Sequence, residues 1–279
     1  MRYDSLELLS CPACKGALSC EGEFKNGVIR EGHLYCRRCN QGYPVEKSIP
    51  RFVTPEKLRG LNKGFERAYH RLSSVYDSAF TRAYLLRSFW PSSGEEKARM
   101  EVIERLEVRK DSRVLETGIG TGDNLPHLVR YDPGIQVYGL DMSAGMLARC
   151  VRNMKKWRCE ADLFLGNAEA LPFRDESFDA VLHVGGINFF TEKRKAVEEM
   201  LRVAKPGARI VVACETEKAI KANRIGIRLV FGKRLTEKMA EFRHKDMRTL
   251  IPQNTSDIRF EQIWEGNGYL LEFRKPSGT

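Results

Sequence analysis

The stretch Arg113-Val114-Leu115-Glu116-Thr117-Gly118-Ile119-Gly120-Thr121-Gly122 decides how the chain is read. Two apolar residues run into Glu116, and glycine then falls at every second position. Each glycine would cost a helix about 1 kcal/mol relative to alanine. The run therefore predicts a strand that ends in a tight turn, where the missing Cβ lets the chain bend sharply and a ligand approach the backbone. Asp123-Asn124-Leu125-Pro126-His127-Leu128 then opens a helix, with Asp123 and Asn124 as candidate caps for its free N–H groups. A second apolar run, 136–140, closes at Asp141, nineteen positions after Gly122. A carboxylate placed there can accept both hydroxyls of a ribose.

The dinucleotide pattern G-x-G-x-x-G does not fit, because the third position after Gly120 is Asp123, a poor neighbour for a pyrophosphate. The spacing Glu116-x-Gly118-x-Gly120-x-Gly122 instead resembles motif I of the class I S-adenosylmethionine-dependent methyltransferases, whose cofactor carries a cationic sulfonium and no phosphate. Asp141-Met142-Ser143-Ala144-Gly145 resembles motif II of the same family. The run Gly166-Asn167-Ala168-Glu169-Ala170-Leu171-Pro172-Phe173 resembles its adenine-recognition loop, and the turn Lys205-Pro206-Gly207 also matches. The resemblance covers roughly 110–275 and implies an α/β fold with a Rossmann-like seven-stranded sheet. Ile258 to Trp264 and Gly268 to Phe273 fit the antiparallel hairpin that ends such a sheet.

For the cofactor, the resemblance implies contacts from Glu116, Gly118, Gly120 and Gly122, ribose binding by Asp141, and packing of Met142 on the adenine ring. Asn167 stands where the family usually has an acidic residue, and its carbonyl can accept from the adenine amino group. Ala168 would offer a backbone N–H to the ring edge. His183, at the end of the run 180–184, has two readings: a lining or buried residue beside the cofactor, or a general base. Asn188, polar between apolar neighbours, is an acceptor-side candidate.

Cys11-Pro12-Ala13-Cys14 and Cys36-Arg37-Arg38-Cys39 are two Cys-x-x-Cys turns separated by 21 residues. Two such turns can close a tetrahedral thiolate site for one structural Zn²⁺, and so small a module would draw folding energy from the metal. The alternatives are a disulfide pair or unliganded thiols; nothing in Met1 to Glu7 reads as a secretory signal, which weakens the first and makes cytoplasm the expected compartment. The segment resembles a zinc ribbon, and in particular the ribbon of a small methyltransferase partner protein. Cys20, Cys150, Cys159 and Cys214 fall outside the expected ligand set.

The expected organisation is a ribbon over 1–53, a linker and helical cap over 54–108, and the cofactor-binding domain over 109–279 with a basic helical insert at 215–250. Residues 51–64 read as linker. From Phe65 to Phe89, apolar and aromatic residues recur at helical steps, with Tyr76, Tyr84 and Trp90 as acceptor-side candidates. That helix either packs on the main domain as bulk core or caps an apolar acceptor pocket. The chain is 42% hydrophobic and 30% charged, which is globular composition, and no run is long enough for a transmembrane helix.

Formal charge is +10, and residues 218–248 contribute ten Lys/Arg against three Asp/Glu, a bias that points to an anionic partner. The function expected is methyl transfer to a small apolar or aromatic acceptor. The alternative is an RNA acceptor, read from Arg37, Arg38, the basic segment and a resemblance in layout to ribbon-bearing ribosomal-RNA methyltransferases. A lesser alternative is a non-enzymatic methyltransferase partner or scaffold.

Overall fold

In the computed structural model, residues 1–54, 56–74, 76, 91–241 and 247–277 are described. The chain opens with a four-stranded antiparallel sheet in sequence order: β1 (Leu18–Lys25), β2 (Val28–Cys36), β3 (Gly42–Glu46) and β4 (Ile49–Pro50). Lys25 pairs with Val28 across Asn26-Gly27, whose φ angles are 51° and 72°. Positive φ at both positions is what a two-residue hairpin turn requires, and Asn-Gly is the pair that tolerates it best.

Helix α1 (Gly60–Leu72) begins five residues before the expected helix at Phe65. The physical reason is tertiary. Asn62 N donates to Thr191 Oγ1 at 3.3 Å, and Asn62 Nδ2 donates to Glu169 Oε1 at 2.8 Å, so loops distant in sequence fix the first turn. The expected continuation of this helix through 77–90 lies outside the described residues. Helix α2 (Glu95–Glu104) then leads to the larger sheet.

That sheet is built from β5 (Arg113–Thr117), α3 (Leu125–Tyr131), β6 (Gln136–Asp141), α4 (Ala144–Trp157), β7 (Asp162–Leu165), β8 (Phe178–Val184), α5 (Lys193–Val203) and β9 (Ala204–Glu215). Three short helices follow: α6 (Glu217–Ala222), α7 (Arg224–Phe231) and α8 (Lys233–Glu241). The hairpin β10 (Ser256–Ile263) and β11 (Gly268–Arg274) completes it. The strand order is β10-β11-β9-β8-β5-β6-β7. Strands β7, β6, β5, β8 and β9 run parallel, while β11 is antiparallel to β9 and to β10. β7 is buried throughout and β5 and β8 nearly so, as expected of parallel strands covered on both faces. The order reverses between β5 and β8, and the crevice at the carboxyl ends of those strands is where doubly wound sheets bind ligands.

The cysteine-rich sheet is joined to the edge of the larger one. Phe52 N donates to Leu165 O at the end of β7 (2.8 Å), Ser10 N to Pro172 O (3.0 Å) and Arg174 N to Leu8 O (2.8 Å). Leu9 forms an isolated antiparallel bridge with Phe173. One apolar cluster contains Leu8, Leu9 and Phe52 together with Phe164, Phe173 and Phe178. The contact satisfies backbone groups that an exposed edge strand would offer to other chains. Phe173→Ala should therefore destabilise the whole chain by about 3–5 kcal/mol. Urea melts check this: a loss below about 1 kcal/mol would show that the joint carries little of the stability.

Candidate cofactor site and metal centre

Gly118, Gly120 and Gly122 have φ of 73°, 57° and 82°, backbone that L side chains rarely adopt. The turn is hung from the end of β6: Gly118 N and Ile119 N both donate to Leu140 O, at 2.7 and 3.1 Å. A Cβ on Gly122 would lie 2.7 Å from Cys150 Sγ, so this glycine serves the packing of α4 beneath the turn. Gly118 and Gly120 face a cavity.

Asp141 closes β6 beside that turn. Its Oδ2 accepts from Gly120 N (2.9 Å) and its Oδ1 from Ser143 N (2.8 Å). Each oxygen keeps a lone pair for a ligand hydroxyl. Burial pushes the Asp141 carboxyl up to about 6, against the opposing pull of the Ser143 and Gly120 amides.

The cavity encloses about 150 Å³ and opens to solvent. Asp141, Met142, Met146, Gly166 and Ala168 line one end. Phe65, Tyr69, Tyr76, Phe190 and Glu215 line the cavity too. His183 and the pair Gly185-Gly186 line it at the end of β8. Tyr69 is half-buried, and desolvation with nearby Tyr76 and Glu215 pushes its phenol well above the ordinary value. Its hydroxyl therefore stays protonated. Cys214, raised by burial and by Glu215, stays a thiol and donates to Glu215 Oε2 at 2.9 Å.

His183 is buried with Nδ1 2.6 Å from Thr117 O. A carbonyl only accepts, so Nδ1 carries the proton and Nε2 offers a lone pair. That Nε2 is buried with no hydrogen-bond partner among the described residues. Desolvation lowers the imidazole to about 4, partly offset by the Thr117 carbonyl, so the ring is neutral at pH 7. A Cβ on Gly118 would come within 3.3 Å of the His183 ring, which adds a packing reason for glycine there.

Three expected site residues sit behind the cavity wall. Glu116 is buried under the turn, where Asn124 Nδ2 donates to its Oε1 at 2.6 Å and Oε2 has no hydrogen-bond partner among the described residues. Burial pushes its carboxyl up to about 8, so at neutral pH it is largely uncharged. Asn167 directs Oδ1 to Glu169 N (3.0 Å) and caps the short helical turn Ala168–Ala170. Asn188 lies against Cys214 Sγ (3.3 Å) and Glu215 O (3.4 Å) and pins the end of β9.

The expected capping of α3 by Asp123 or Asn124 is also not observed. Asn124 has helical φ and ψ, and its side chain joins Arg99 to Glu116 instead of closing the helix. Tyr76 lines the cavity; Tyr84 and Trp90 lie outside the described residues. Phe65, Tyr69, Phe190, Met146 and Glu215 were not singled out from the sequence as site residues. Glu215 had a readable signal: like Asp141, it ends a buried apolar strand on the ligand side of the sheet.

Cys11, Cys14, Cys36 and Cys39 converge with all four sulfurs within 4.8 Å of one another. Cys11 and Cys39 are 3.5 Å apart and Cys14 and Cys36 3.4 Å. These separations are too long for a disulfide, and near the roughly 3.8 Å that tetrahedral Zn–S bonds of about 2.3 Å demand. Tyr43 Oη lies 3.1 Å from Cys11 Sγ, an outer contact able to orient a thiolate ligand. The donor set fits one structural Zn²⁺, with no open position for catalysis. Cys20 lies outside the cluster.

Residues 115–212 match the family model of the methyltransferase domain, and residues 2–48 that of Trm112p-like proteins. Residues 115–212 thus form a methyltransferase domain, and residues 2–48 a Trm112p-like module whose four cysteines can hold one zinc. The chain is 32% identical over 148 residues to a demethylmenaquinone methyltransferase of Paenarthrobacter aurescens, covering 53% of this chain and 56% of that protein. It is 41% identical over 115 residues to one of Renibacterium salmoninarum, covering 41% and 46%. The chain thus spans about half the length of these relatives. A phosphoethanolamine N-methyltransferase of Haemonchus contortus, solved with S-adenosylhomocysteine, superposes with a TM-score of 0.53 at 18% identity over 76% of this chain and 60% of its own. The fold is therefore that of the methyltransferases.

Asp141→Ala should weaken S-adenosylmethionine binding about 10- to 100-fold by calorimetry, the worth of one charge-assisted hydrogen-bond site; an unchanged Kd would remove Asp141 from the site. Asp141 titrates near 6, His183 near 4 and Glu116 near 8. Cofactor affinity should thus fall as pH drops from about 7 to about 5, when Asp141 takes up its proton, and Asp141→Asn should flatten that profile. For the ribbon, elemental analysis should find about one zinc per chain, lost together with native structure in Cys36→Ser. Metal-free protein that melts like the untreated chain would rule the centre out.

Proposed function

We propose that the chain transfers a methyl group from S-adenosylmethionine to a small apolar or aromatic acceptor, a quinone-type ring being the class its relatives' names suggest. The observation that carries this reading is the aromatic wall formed by Phe65, Tyr69, Tyr76 and Phe190 in the same cavity as Asp141 and the glycine turn. Flat aromatic faces favour a flat, apolar partner.

When bound, S-adenosylmethionine supplies an electrophilic methyl on a sulfonium. The protein's part is alignment and proton handling. Asp141 holds the ribose, Met142 and Ala168 border the adenine, and Gly118 and Gly120 let the backbone approach. Tyr69, protonated at all working pH values, donates a hydrogen bond to an acceptor oxygen. His183 Nε2 accepts one; with its imidazole near 4, it orients a hydroxyl better than it removes a proton. Glu215, a carboxylate held by the Cys214 thiol, is the group on the aromatic side that can take the acceptor proton as the bond to carbon or oxygen forms.

The RNA reading has less support. The basic segment does not present a continuous cationic track: Ile225 and Leu229 stand exposed among its arginines, and Ile220, Phe231 and Leu235 pack toward α1. The test is an isotope assay with labelled S-adenosylmethionine and a reduced 1,4-naphthoquinone unsubstituted beside its carbonyl. Label should enter the organic-soluble product, and Tyr69→Ala should raise the KM for that acceptor while leaving the cofactor Kd unchanged. Label found only in added RNA would overturn the reading.

A further inference from the structure

Helix α7 has two faces of opposite purpose. Ile227 and Phe231 point inward, packed with Leu61, Phe65 and Tyr69 of α1; the Phe231 ring lies 5.4 Å from both the Phe65 and Tyr69 rings. Those two α1 residues line the cavity, so the inner face of α7 is one side chain removed from the proposed acceptor. The outer face carries Ile225 and Leu229, spaced one helical turn apart and 74% and 70% exposed. Arg224 and Arg228 flank them at the same spacing and are exposed. Neither makes an ion pair among the described residues, whereas Lys221 pairs with Glu217 and Lys233 with Glu237.

We propose that this outer face is a docking surface for an anionic lipid bilayer. Two large aliphatic tips held out in water would be an unrelieved cost on a free surface. Interleaved with arginines, they have the composition of a helix that lies in the headgroup plane, its apolar tips among the acyl chains and its cations among the phosphates. Lys218, Arg234 and Lys238 on the adjoining helices add positive charge in the same stretch, and each cation near an anionic leaflet adds to the attraction. An RNA duplex would match the charges but not Ile225 and Leu229. A helix shallowly seated by one turn makes the contact reversible, and no helix among the described residues is long and apolar enough to cross a membrane. Docking on this face would hold the bilayer one helix away from Phe65 and Tyr69 of the cavity wall. The proposal goes beyond the acceptor reading, because vesicle binding requires no methyl transfer.

The test is co-sedimentation of the full chain with vesicles of phosphatidylcholine alone or with about 30% phosphatidylglycerol, at low and raised salt. The wild type should bind the anionic vesicles about tenfold or more tightly than the neutral ones and be released by salt. Ile225→Asp with Leu229→Asp should lose binding, and Arg224→Gln with Arg228→Gln should weaken it about tenfold. All four side chains are exposed, so the variants should keep the wild-type melting curve and the wild-type Kd for S-adenosylmethionine. That separates a failure here from a failure of the methyltransferase reading. Equal binding to both vesicle types, or variants that sediment like the wild type, would overturn the proposal. So would a wild type that ignores vesicles but forms dimers that the aspartate variant abolishes, because the face would then be an interface between copies.

Discussion

The architecture depends on how one strand end holds the turn of another. Gly118 and Ile119 donate to the Leu140 carbonyl, and Gly120 donates to the Asp141 carboxylate. These bonds lock the end of β5 against the end of β6 at the point where the strand order reverses. Positive φ at three alternate positions makes the loop narrow enough to reach, and the absence of side chains there leaves the space that becomes the cavity. A side chain at Gly118 would press on His183, and one at Gly122 on Cys150. Catalytic geometry and folding geometry are thus the same few contacts. Asp141 in particular both accepts from the turn's backbone and lines the cavity.

The electrostatics of the site follow from burial more than from neighbouring charge. Glu116 and Asp141 are both raised and His183 is lowered, each with desolvation as the leading cause. The result near pH 7 is an uncharged Glu116 under the turn, a neutral imidazole and an ionised Asp141. Of these three, Asp141 alone is charged, and it lines the cavity.

What was legible in the sequence is what short spacing determines. The strand–turn–helix at Arg113–Gly122, Asp141 at a strand end and the two Cys-x-x-Cys turns need no distant information, and all appear where the spacing put them. The remaining features depend on partners far along the chain. Helix α1 starts at Gly60 because Thr191 and Glu169 hold Asn62. Asn124 has a capping residue's chemistry, but Arg99 and Glu116 engage it first. Glu116 has the family spacing, yet the turn above it decides that it faces inward. Periodicity found Phe65 and Tyr69 as an apolar stripe; only the fold shows that one stripe serves both the core and the cavity wall.

The joint between ribbon and sheet bears on why a zinc module sits on this chain. None of the four cysteines in the two Cys-x-x-Cys turns lines the cavity. They shape a small sheet whose Leu8, Leu9 and Phe52 complete the apolar cluster around Phe164 and Phe173 and whose backbone closes the β7 edge. Phe173 belongs to the loop that begins at Gly166, and that loop supplies Ala168 to the cofactor end of the cavity. Glu169 in the same loop accepts from Asn62 of α1 and from the backbone of Thr191 and Glu192. One loop therefore ties the ribbon, the cofactor end and the helix that carries the aromatic wall. Loss of zinc would be felt first as slackening of that loop, before any change in the glycine turn itself.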